Sequence, residues 1–165
     1  ITHDLNEAMR LGDRIAMMRD GRVEQIGTAE QILTEPANNY VASFIQDVDR
    51  TRVLTASNIM ESPAFVIGSN SGPQAAHKVM REGQLSWLLV QNRDRTPAGI
   101  LWMSDVAEAV RTGRQDLPWS PVHEMPVVSQ DTPLADLFAV SALHLNPIIV
   151  TDDQGRTVGV IPRVT

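Results

Sequence analysis

The chain of 165 residues contains no cysteine and few aromatic residues. Without cysteine it can form neither disulfide bonds nor thiolate metal sites, and this composition is typical of proteins in a reducing compartment. Aromatic residues make up 4% of the chain and hydrophobic residues 42%. Because this hydrophobic fraction is ordinary for a globular protein, we expect a core built mainly from aliphatic side chains and methionine.

Positive charge and long apolar segments are also scarce. The formal net charge is −6, whereas a general nucleic-acid-binding protein would carry a basic stripe. No apolar run approaches the ~20 residues that cross a bilayer, and no signal peptide is visible. The sequence therefore predicts a soluble cytoplasmic chain that binds no nucleic acid and does not insert into a membrane on its own.

The residue combinations of common catalytic and metal sites are missing as well. The chain has no Gly-x-x-x-x-Gly-Lys-Ser/Thr loop, whose backbone amides and lysine would hold nucleotide phosphates. His77, His123 and His144 lie far apart, without the spacing of metal ligands. No Ser-His-Asp or paired-carboxylate arrangement is present. We expect neither a metal centre nor catalysis by this chain alone.

The first segment, about residues 1–48, carries clear local signals. Ile1-Thr2 has the character of a strand end, and Asp4 with Glu7 forms a capping pair that predicts a short helix to about Leu11. Asp20-Gly21 lies between two strand-like runs and predicts a two-residue hairpin, because both turn positions need positive φ.

Two further helices are predicted in this segment. Thr28 and Gln31 form a second capping pair, and Pro36 ends the helix that they begin. The last helix is predicted over residues 39–46, with Tyr40, Phe44 and Val48 on one side.

The second segment, residues 55–112, alternates strand and helix patterns. The predicted elements are a strand at 64–67, a helix starting at Pro73 with Ala75, Ala76, Val79 and Met80 on its apolar face, strands at 87–90 and 98–102, and a helix from a Ser104 cap to about Val110.

The third segment, residues 121–165, repeats the second at an offset of 60 residues. Pro73 corresponds to Pro133 and Val90 to Val150, and the match continues without a gap to Trp102. Before Pro73 the first copy is about three residues longer. Two copies of a β-α-β-β-α unit predict an α/β (α+β) fold with pseudo-twofold symmetry. The last helix of the second copy should begin at Thr165, so we expect it to be truncated, missing or supplied from elsewhere.

Two stretches of the first segment are specific: ITHDLNEAMRLGDRIAMMRDGRVEQIGTAEQIL and PANNYVASFIQDVD. They resemble the end of the ATPase domain of ABC importers, in the glycine betaine/L-proline (quaternary-amine) branch. The resemblance implies that residues 1–50 are a C-terminal remnant of an ATP-binding domain. It also implies that His3 is the switch histidine at the γ-phosphate of ATP in the full-length protein. Because the Walker B and signature motifs are absent too, we expect no ATPase activity from this chain alone.

The repeated segments carry SPAFVIGSNSGPQAA with SWLLVQNRDRTPAGILWMSD, and EMPVVSQDTPLADL with NPIIVTDDQGRTVGVIPRVT. They resemble a tandem pair of CBS modules, at residues 55–112 and 121–165. Many such modules carry Gly-x-x-Thr/Ser-x-x-Asp, whose polar side chains hold a ribose and phosphate. At these positions the first copy has Gly99, Trp102 and Asp105, and the second copy has Gly159, Pro162 and Thr165.

This resemblance implies a candidate site for an adenine nucleotide or cyclic di-AMP. Its residues would be Val66, Ile67, Ala98, Ile100, Trp102 and Asp105. Each also has a plainer role. Asp105 suits the dipole at a helix N-terminus, Trp102 can stack on a base or fill an interface, and the four apolar residues are ordinary core positions.

Together the resemblances imply the regulatory CBS-pair region of the ATP-binding subunit of an osmoprotectant (glycine betaine/proline) importer. Such a region would respond to a ligand or to ionic strength. The charged turns Arg93-Asp94-Arg95 and Asp152-Asp153 are candidates for a salt-screened contact, although solvated turns commonly carry such charges.

The implied partners are a second copy of the chain, permease subunits and a substrate-binding protein, at the inner face of a bacterial cell membrane. An adenine-nucleotide or cyclic-dinucleotide sensing module and a purely structural dimerisation module are the alternatives.

Overall fold

The structure, a computed structural model, describes residues 1–63 and 66–163. They form two compact units, one of Ile1–Thr55 with Pro133–Ala135, and one of Ala56–Thr132 with the residues from Asp136 onward. In chain order the elements are α1 (Leu5–Leu11), β1 (Ile15–Arg19), β2 (Arg22–Gly27), α2 (Ala29–Thr34), α3 (Asn39–Phe44), α4 (Ala56–Ile59), β3 (Val66–Gly68), α5 (Pro73–Glu82), β4 (Trp87–Gln91), β5 (Pro97–Trp102), α6 (Met103–Thr112), β6 (Ser120–Pro121), β7 (Val127–Ser129), α7 (Leu134–Leu143), β8 (Ile148–Thr151) and β9 (Thr157–Ile161). None of the helices in the described ranges is long and apolar enough to cross a membrane.

The predicted hairpin and capping motifs of the first unit are confirmed. The Asp4 carboxylate accepts a hydrogen bond from the Glu7 backbone N–H at the start of α1. Strands β1 and β2 pair antiparallel, and Asp20 and Gly21 have φ of 49° and 76°. At the start of α2, the Thr28 hydroxyl accepts from the Gln31 N–H and the Gln31 side chain accepts from the Thr28 N–H. These signals need no tertiary partner, which is why sequence alone located them.

One prediction about the first unit is wrong. Ile1-Thr2 is not a strand, because no strand of the described chain pairs with it. The predicted common side of Tyr40 and Phe44 is confirmed, since their ring centres lie 6.0 Å apart, while the core-facing residues are Val41 of α3 and its C-cap residue Ile45. Cap residue Asn38 starts the helix so that these two aliphatic residues face the core, and Phe44 is left 47% exposed. The core of this unit comprises Met9, Ile15, Met17, Ile32, Leu33, Val41, Ile45 and Val48.

The second unit contains the predicted repeat as two similar sheets. In the first repeat (β3 to α6), β3 pairs parallel with β4, and β4 pairs antiparallel with β5. In the second repeat (β7 to β9), β7 pairs parallel with β8, and β8 antiparallel with β9. Each hairpin has a register shift at the equivalent place, Val90/Gln91 and Val150/Thr151. The strand–helix–strand–strand order is therefore confirmed in both copies.

The segment that precedes each repeat pairs with the sheet of the other repeat. Strand β6 precedes the second repeat and pairs with β5, joining Ile100 to Ser120. Glu61 precedes the first repeat and forms an antiparallel bridge to Val160 of β9. This exchange ties the two repeats together by backbone hydrogen bonds on both sides of the pseudo-twofold axis.

A shared core lies between the two repeats. Leu89 and Ile149 occupy equivalent positions of the repeats, as do Ile100 and Val160, and all four pack in one buried cluster with Met125. Because each repeat supplies the same positions to this cluster, the interface reproduces the internal symmetry of the sequence. Burial of five large apolar side chains makes it a main source of the stability of the pair.

Some detailed predictions for the second unit are wrong, and others concern residues that the structure does not describe. Ala75 is exposed, and α5 instead buries Pro73, Ala76 and Met80. Ser104 is not a cap, because α6 already begins at Met103 and its N-cap is Trp102. Ala64 and Phe65 of the first predicted strand lie outside the described residues. So do Val164 and Thr165, at the expected start of the last helix.

Candidate functional site

His3 lies on an exposed segment just before α1. The preceding Thr2 hydroxyl donates to the Glu7 carboxylate (2.9 Å) and accepts from the Asp4 N–H (3.0 Å). These bonds hold the segment against the first turn of the helix, so the imidazole projects from an ordered helix entry. This place at the start of a capped helix is the one predicted from the sequence.

A concave surface of about 840 Å³ adjoins His3 in the first unit. Its lining combines α1, β1 and two aromatic residues of α3, Tyr40 and Phe44. The Arg19 guanidinium lies 4.7 Å from the centre of the Tyr40 ring, which fixes one edge of the cavity by a cation–π contact. No phosphate-binding loop contributes to the lining, so this surface supplies one imidazole and apolar walls but no cradle for a triphosphate.

The six ligand-site candidates of the first repeat are divided between two cores and the surface. Ile67 is buried in the core of the first repeat, and Ala98 packs against that core. Ile100 and Trp102 belong instead to the cluster between the repeats. Val66 is 39% exposed, and Asp105 is exposed in the first turn of α6. The structure thus groups Ile67 with Ala98 and Ile100 with Trp102 in two separate clusters, and leaves Val66 and Asp105 exposed.

Trp102 lies directly opposite Trp87 across strands β4 and β5. Both indoles are half-buried and pack against the shared cluster. In the second repeat the equivalent residues are Pro147 and Pro162. The two tryptophans therefore form an asymmetric apolar wall, present only at the first repeat, that can fill the interface or offer a face for stacking.

Asp105 is the remaining polar residue of the candidate motif. Helix α6 has no side-chain cap, and Asp105 is the acidic residue of its first turn. A carboxylate in this place interacts favourably with the free N–H groups of the helix N-terminus. This local role accounts for Asp105 without a ligand and leaves its carboxylate accessible to one.

A contact that the sequence did not predict joins the first charged turn to β9. The Arg95 carbonyl accepts a hydrogen bond from the Thr157 N–H (2.9 Å), which joins the turn of the first repeat to β9 of the second. Arg95 has φ of 69°, and its equivalent in the second repeat, Gly155, has φ of 74°. The alignment of Arg95 with glycine was the signal available in the sequence.

The turns themselves are closed by carboxylates. Asp152 accepts from the Arg156 guanidinium (Nε–Oδ2 2.8 Å) and from the Gln154 backbone N–H. The Arg156 side chain, followed by the Arg156 backbone N–H, lowers the pKa of Asp152. In the other turn the Thr96 hydroxyl donates to Asp94 (2.6 Å) and lowers the pKa of that carboxyl. Both turns thus keep their charges at neutral pH.

Thr157 is the other feature that the sequence did not reveal. It is 1% exposed, and its hydroxyl has no hydrogen-bond partner among the residues that the structure describes. Within the same ranges, no three His, Asp or Glu side chains are grouped as metal ligands would be.

The chain is similar over nearly its whole length to known transport proteins. It is 44% identical over 163 residues to the glycine betaine/carnitine transport ATP-binding protein GbuA of Listeria monocytogenes serotype 1/2a (strain 10403S), covering 99% of this chain and 41% of that protein. It is 37% identical over 165 residues to the glycine betaine transport ATP-binding protein OpuAA of Bacillus subtilis (strain 168), covering 99% of this chain and 38% of that protein. The chain is a homologue of glycine betaine transport ATP-binding proteins. The resemblance predicted from the sequence is confirmed, and the chain spans about two fifths of the length of these relatives.

Comparison with solved structures shows the fold of this chain. Staphylococcus aureus OpuCA matches with a TM-score of 0.54 and 21% identity, covering 64% of this chain and 89% of that chain. CBSX2 in complex with AMP matches with a TM-score of 0.54 and 20% identity, covering 67% of this chain and 90% of that chain. CBSX2 is a CBS-pair protein. The predicted tandem CBS fold is therefore confirmed, although the chain matches no protein-family model.

Proposed function

We propose that this chain is the regulatory CBS-pair region of the ATP-binding subunit of an osmoprotectant importer, joined to part of its ATPase domain. The observation that carries the proposal is the similarity of 99% of the chain to glycine betaine transport ATP-binding proteins. In the whole subunit His3 would contact the γ-phosphate of ATP. The chain alone, without a phosphate loop, would not hydrolyse ATP.

Regulation would require the CBS pair to favour one state of the transporter. A ligand or ion shifts such an equilibrium only if it interacts more strongly with one state than with the other. The shared core and the exchanged segments support this role, because they join the two repeats through buried side chains and backbone hydrogen bonds. The subunit would act as a homodimer with permease subunits and a substrate-binding protein, at the inner face of the cell membrane.

Two stimuli are supported by different observations. An adenine nucleotide is favoured by the likeness to CBSX2, whose structure contains AMP, and by Trp102 beside an accessible Asp105. Ionic strength is favoured by the exposed ion pairs of the second unit, such as Lys78–Glu82 and Arg111–Glu108, since salt screens exposed charges. A purely structural dimerisation module would respond to neither stimulus.

Thermal shift of the chain with ATP, AMP and cyclic di-AMP, across a potassium chloride series, separates these functions. A nucleotide that binds only the folded state at 100 times its Kd stabilises that state by about 2.7 kcal/mol, which corresponds to a rise of several degrees. Asp105→Asn should reduce a nucleotide shift, and the matched control Glu108→Gln, one turn further along the exposed side of α6, should not.

The remaining outcomes decide between the other two functions. A salt-dependent change in dimerisation without a nucleotide shift would support ionic-strength sensing. No response to nucleotide or salt would contradict a sensory role and favour structural dimerisation.

A further inference from the structure

Residues 54–57, at the end of the first unit, pair with the corner between β7 and α7, residues 130–134. We call these stretches the joining segment and the α7 corner. Thr55 and Pro133 form an antiparallel bridge between them. Three backbone hydrogen bonds of 2.8–2.9 Å complete the pairing: Ala56 N–H to Thr132 C=O, Ser57 N–H to Gln130 C=O, and Leu134 N–H to Leu54 C=O.

Both paired stretches continue from one compact unit into the other. Thr55 and Pro133–Ala135 belong to the first unit, whereas Ala56 and Thr132 belong to the second. Each of the contacts above therefore lies within one unit. Helix α7 belongs to the first unit in its first turn and to the second unit from Asp136 onward. The backbone thus passes between the units twice, through two stretches that are bonded to each other.

The end of the joining segment in the first unit is ordered and is not a flexible tether. The Asp49 carboxylate accepts from the Thr51 hydroxyl (2.6 Å) and N–H (3.1 Å), which starts a 3₁₀ turn. The N–H groups of Val53 and Leu54 both donate to the Arg50 carbonyl, at 3.2 and 2.9 Å. Val53 also packs against the core of the first unit. Leu54 is therefore attached to a fixed part of this unit.

The α7 corner is attached to the charged turn of the second repeat. The Gln130 N–H donates to the Thr151 carbonyl at the end of β8 (2.9 Å). The next residue, Asp152, closes the turn by accepting from the Arg156 guanidinium (2.8 Å). The Gln130 carbonyl accepts from Ser57, so one residue joins the end of β8 to the joining segment. Contiguous hydrogen bonds and rigid elements of this kind can carry energetic coupling between distant sites.

The first repeat contains an equivalent corner, residues 69–73. There the Ser69 N–H donates to the Gln91 carbonyl at the end of β4 (2.9 Å), as Gln130 donates to Thr151. Pro73 occupies the place of Pro133. Both repeats therefore attach this corner to the hairpin of their own sheet.

The segment before the second repeat, however, does not hold the corner of the first. Glu61 and Ser120 pair with equivalent residues of β9 and β5, so residues 113–116 correspond to the joining segment. They end helix α6, where the Arg114 N–H donates to the Ala109 carbonyl (2.9 Å). Within the part of the chain that the structure describes, no backbone hydrogen bond joins residues 113–116 to the corner of the first repeat. The pairing with the joining segment therefore distinguishes the second repeat from the first.

We infer that the joining segment couples the charged turn of the second repeat to the first unit, and that the first repeat is not coupled in this way. The inference rests on the proposed regulatory function and adds which repeat acts on the ATPase remnant. Through Thr151 and Gln130, a stimulus that loosens or tightens the turn at Asp152 changes how firmly Leu54 is held. The same change in the turn at Asp94 stays within the first repeat.

Amide hydrogen exchange of the whole chain, followed by NMR, tests this coupling with a matched pair of variants. Asp152→Asn weakens the charged hydrogen bond that closes the second turn, so local opening becomes easier. The exchange rates of the Ser57 and Leu54 amides should both rise at least about fivefold. Asp94→Asn weakens the bond from the Thr96 hydroxyl in the first turn and should leave both rates within about twofold.

A second pair of variants tests the bond between Leu134 and Leu54. Leu134→Pro removes the N–H donor at the first position of α7, where proline fits a helix, and Pro133 before it is in the extended pairing that suits a following proline. Combined with Leu134→Pro, Asp152→Asn should change the Leu54 rate by less than about twofold. Leu134→Ala loses the same side chain but keeps the N–H, so Asp152→Asn should still raise the Leu54 rate in that background.

Each contrary result has a separate meaning. A rise at Ser57 without a rise at Leu54, or no rise at either, would overturn the coupling and leave the proposed regulatory function standing. An equal rise with Asp94→Asn would contradict the restriction to the second repeat. A rise at Leu54 that persists with Leu134→Pro would exclude the bond to α7 as the route. Coupling in a chain that responds to neither nucleotide nor salt would support the inference and contradict the regulatory function.

Discussion

Glycines 99 and 159 provide a direct test of how the two repeats are joined. Both occupy the same position of the repeat, at the point where the exchanged segments cross the hairpins. A Cβ atom at Gly99 would meet the Ser120 carbonyl oxygen far inside contact distance and would lie 2.8 Å from the Trp119 ring. A Cβ atom at Gly159 would lie 2.5 Å from the Met60 sulfur and 2.7 Å from its Cγ.

The two alanine variants should lose different amounts of unfolding free energy, because the new Cβ would meet different atoms at the two positions. At Gly99 the obstacle is the backbone of β6, which is itself paired with β5, so relief requires those strands to separate. At Gly159 the sulfur and Cγ belong to a flexible side chain that can rotate away, and only the Met60 Cβ, 2.9 Å from the new atom, requires a small backbone shift. Overpacking commonly costs about 1–3 kcal/mol. We expect Gly99→Ala at the upper end, near 3 kcal/mol, and Gly159→Ala at least about 1 kcal/mol lower.

Urea unfolding followed by tryptophan fluorescence measures this difference. Trp87, Trp102 and Trp119 all belong to the second unit, so the signal reports that unit alone. A loss of 3 kcal/mol corresponds to a melting temperature lower by about 6–12 °C for a chain of this size. Gly72→Ala, where a Cβ would meet nothing within 4 Å, is the control for added volume; because it replaces the N-cap residue of α5, it should cost no more than about 1 kcal/mol. A loss at Gly99 no larger than that of the Gly72 control would refute the close backbone crossing at β6.

Three further predictions concern the hairpin turns and the adjoining start of β9. Thr157→Val should raise the free energy of unfolding by about 1 kcal/mol or more, because it removes a buried hydroxyl that has no partner among the described residues; an unchanged urea midpoint would mean that the hydroxyl is satisfied. Arg95→Gly should stabilise the chain by roughly 0.5 kcal/mol, as relief of left-handed strain exceeds the extra flexibility of glycine, and a destabilised variant would place the role of Arg95 in its side chain. The lowered pKa of Asp152 stabilises the fold above its ordinary pKa of 3.8, and this contribution is lost as pH falls through the lower folded value. Unfolding midpoints measured between pH 6 and pH 3 should therefore fall less for Asp152→Asn than for the wild type, and parallel pH profiles would contradict the contribution of the Arg156 hydrogen bond.

Local features of this protein were predictable because they depend on neighbours in sequence. The Asp20-Gly21 turn, the Thr28–Gln31 capping box and the helix start at Pro73 each close within a few residues. The 60-residue offset also predicted that both repeats share one order of strands and helices, and each repeat indeed builds the same small sheet. The assignment of Ala75 to the buried face of α5 was wrong, because apolar character alone does not show which side of a helix meets the core.

The sequence by itself determined the two repeats, their order of strands and helices, and the relationship to glycine betaine transport proteins. Only the tertiary structure decided how the repeats meet. The exchange of Glu61 and β6 between sheets, the bond from Thr157 to Arg95 and the separation of Ile67 from Ile100 join residues far apart in the chain. Such contacts form because buried backbone groups need hydrogen-bond partners and apolar side chains need to be removed from water. A local sequence pattern does not show which distant residues will meet these needs.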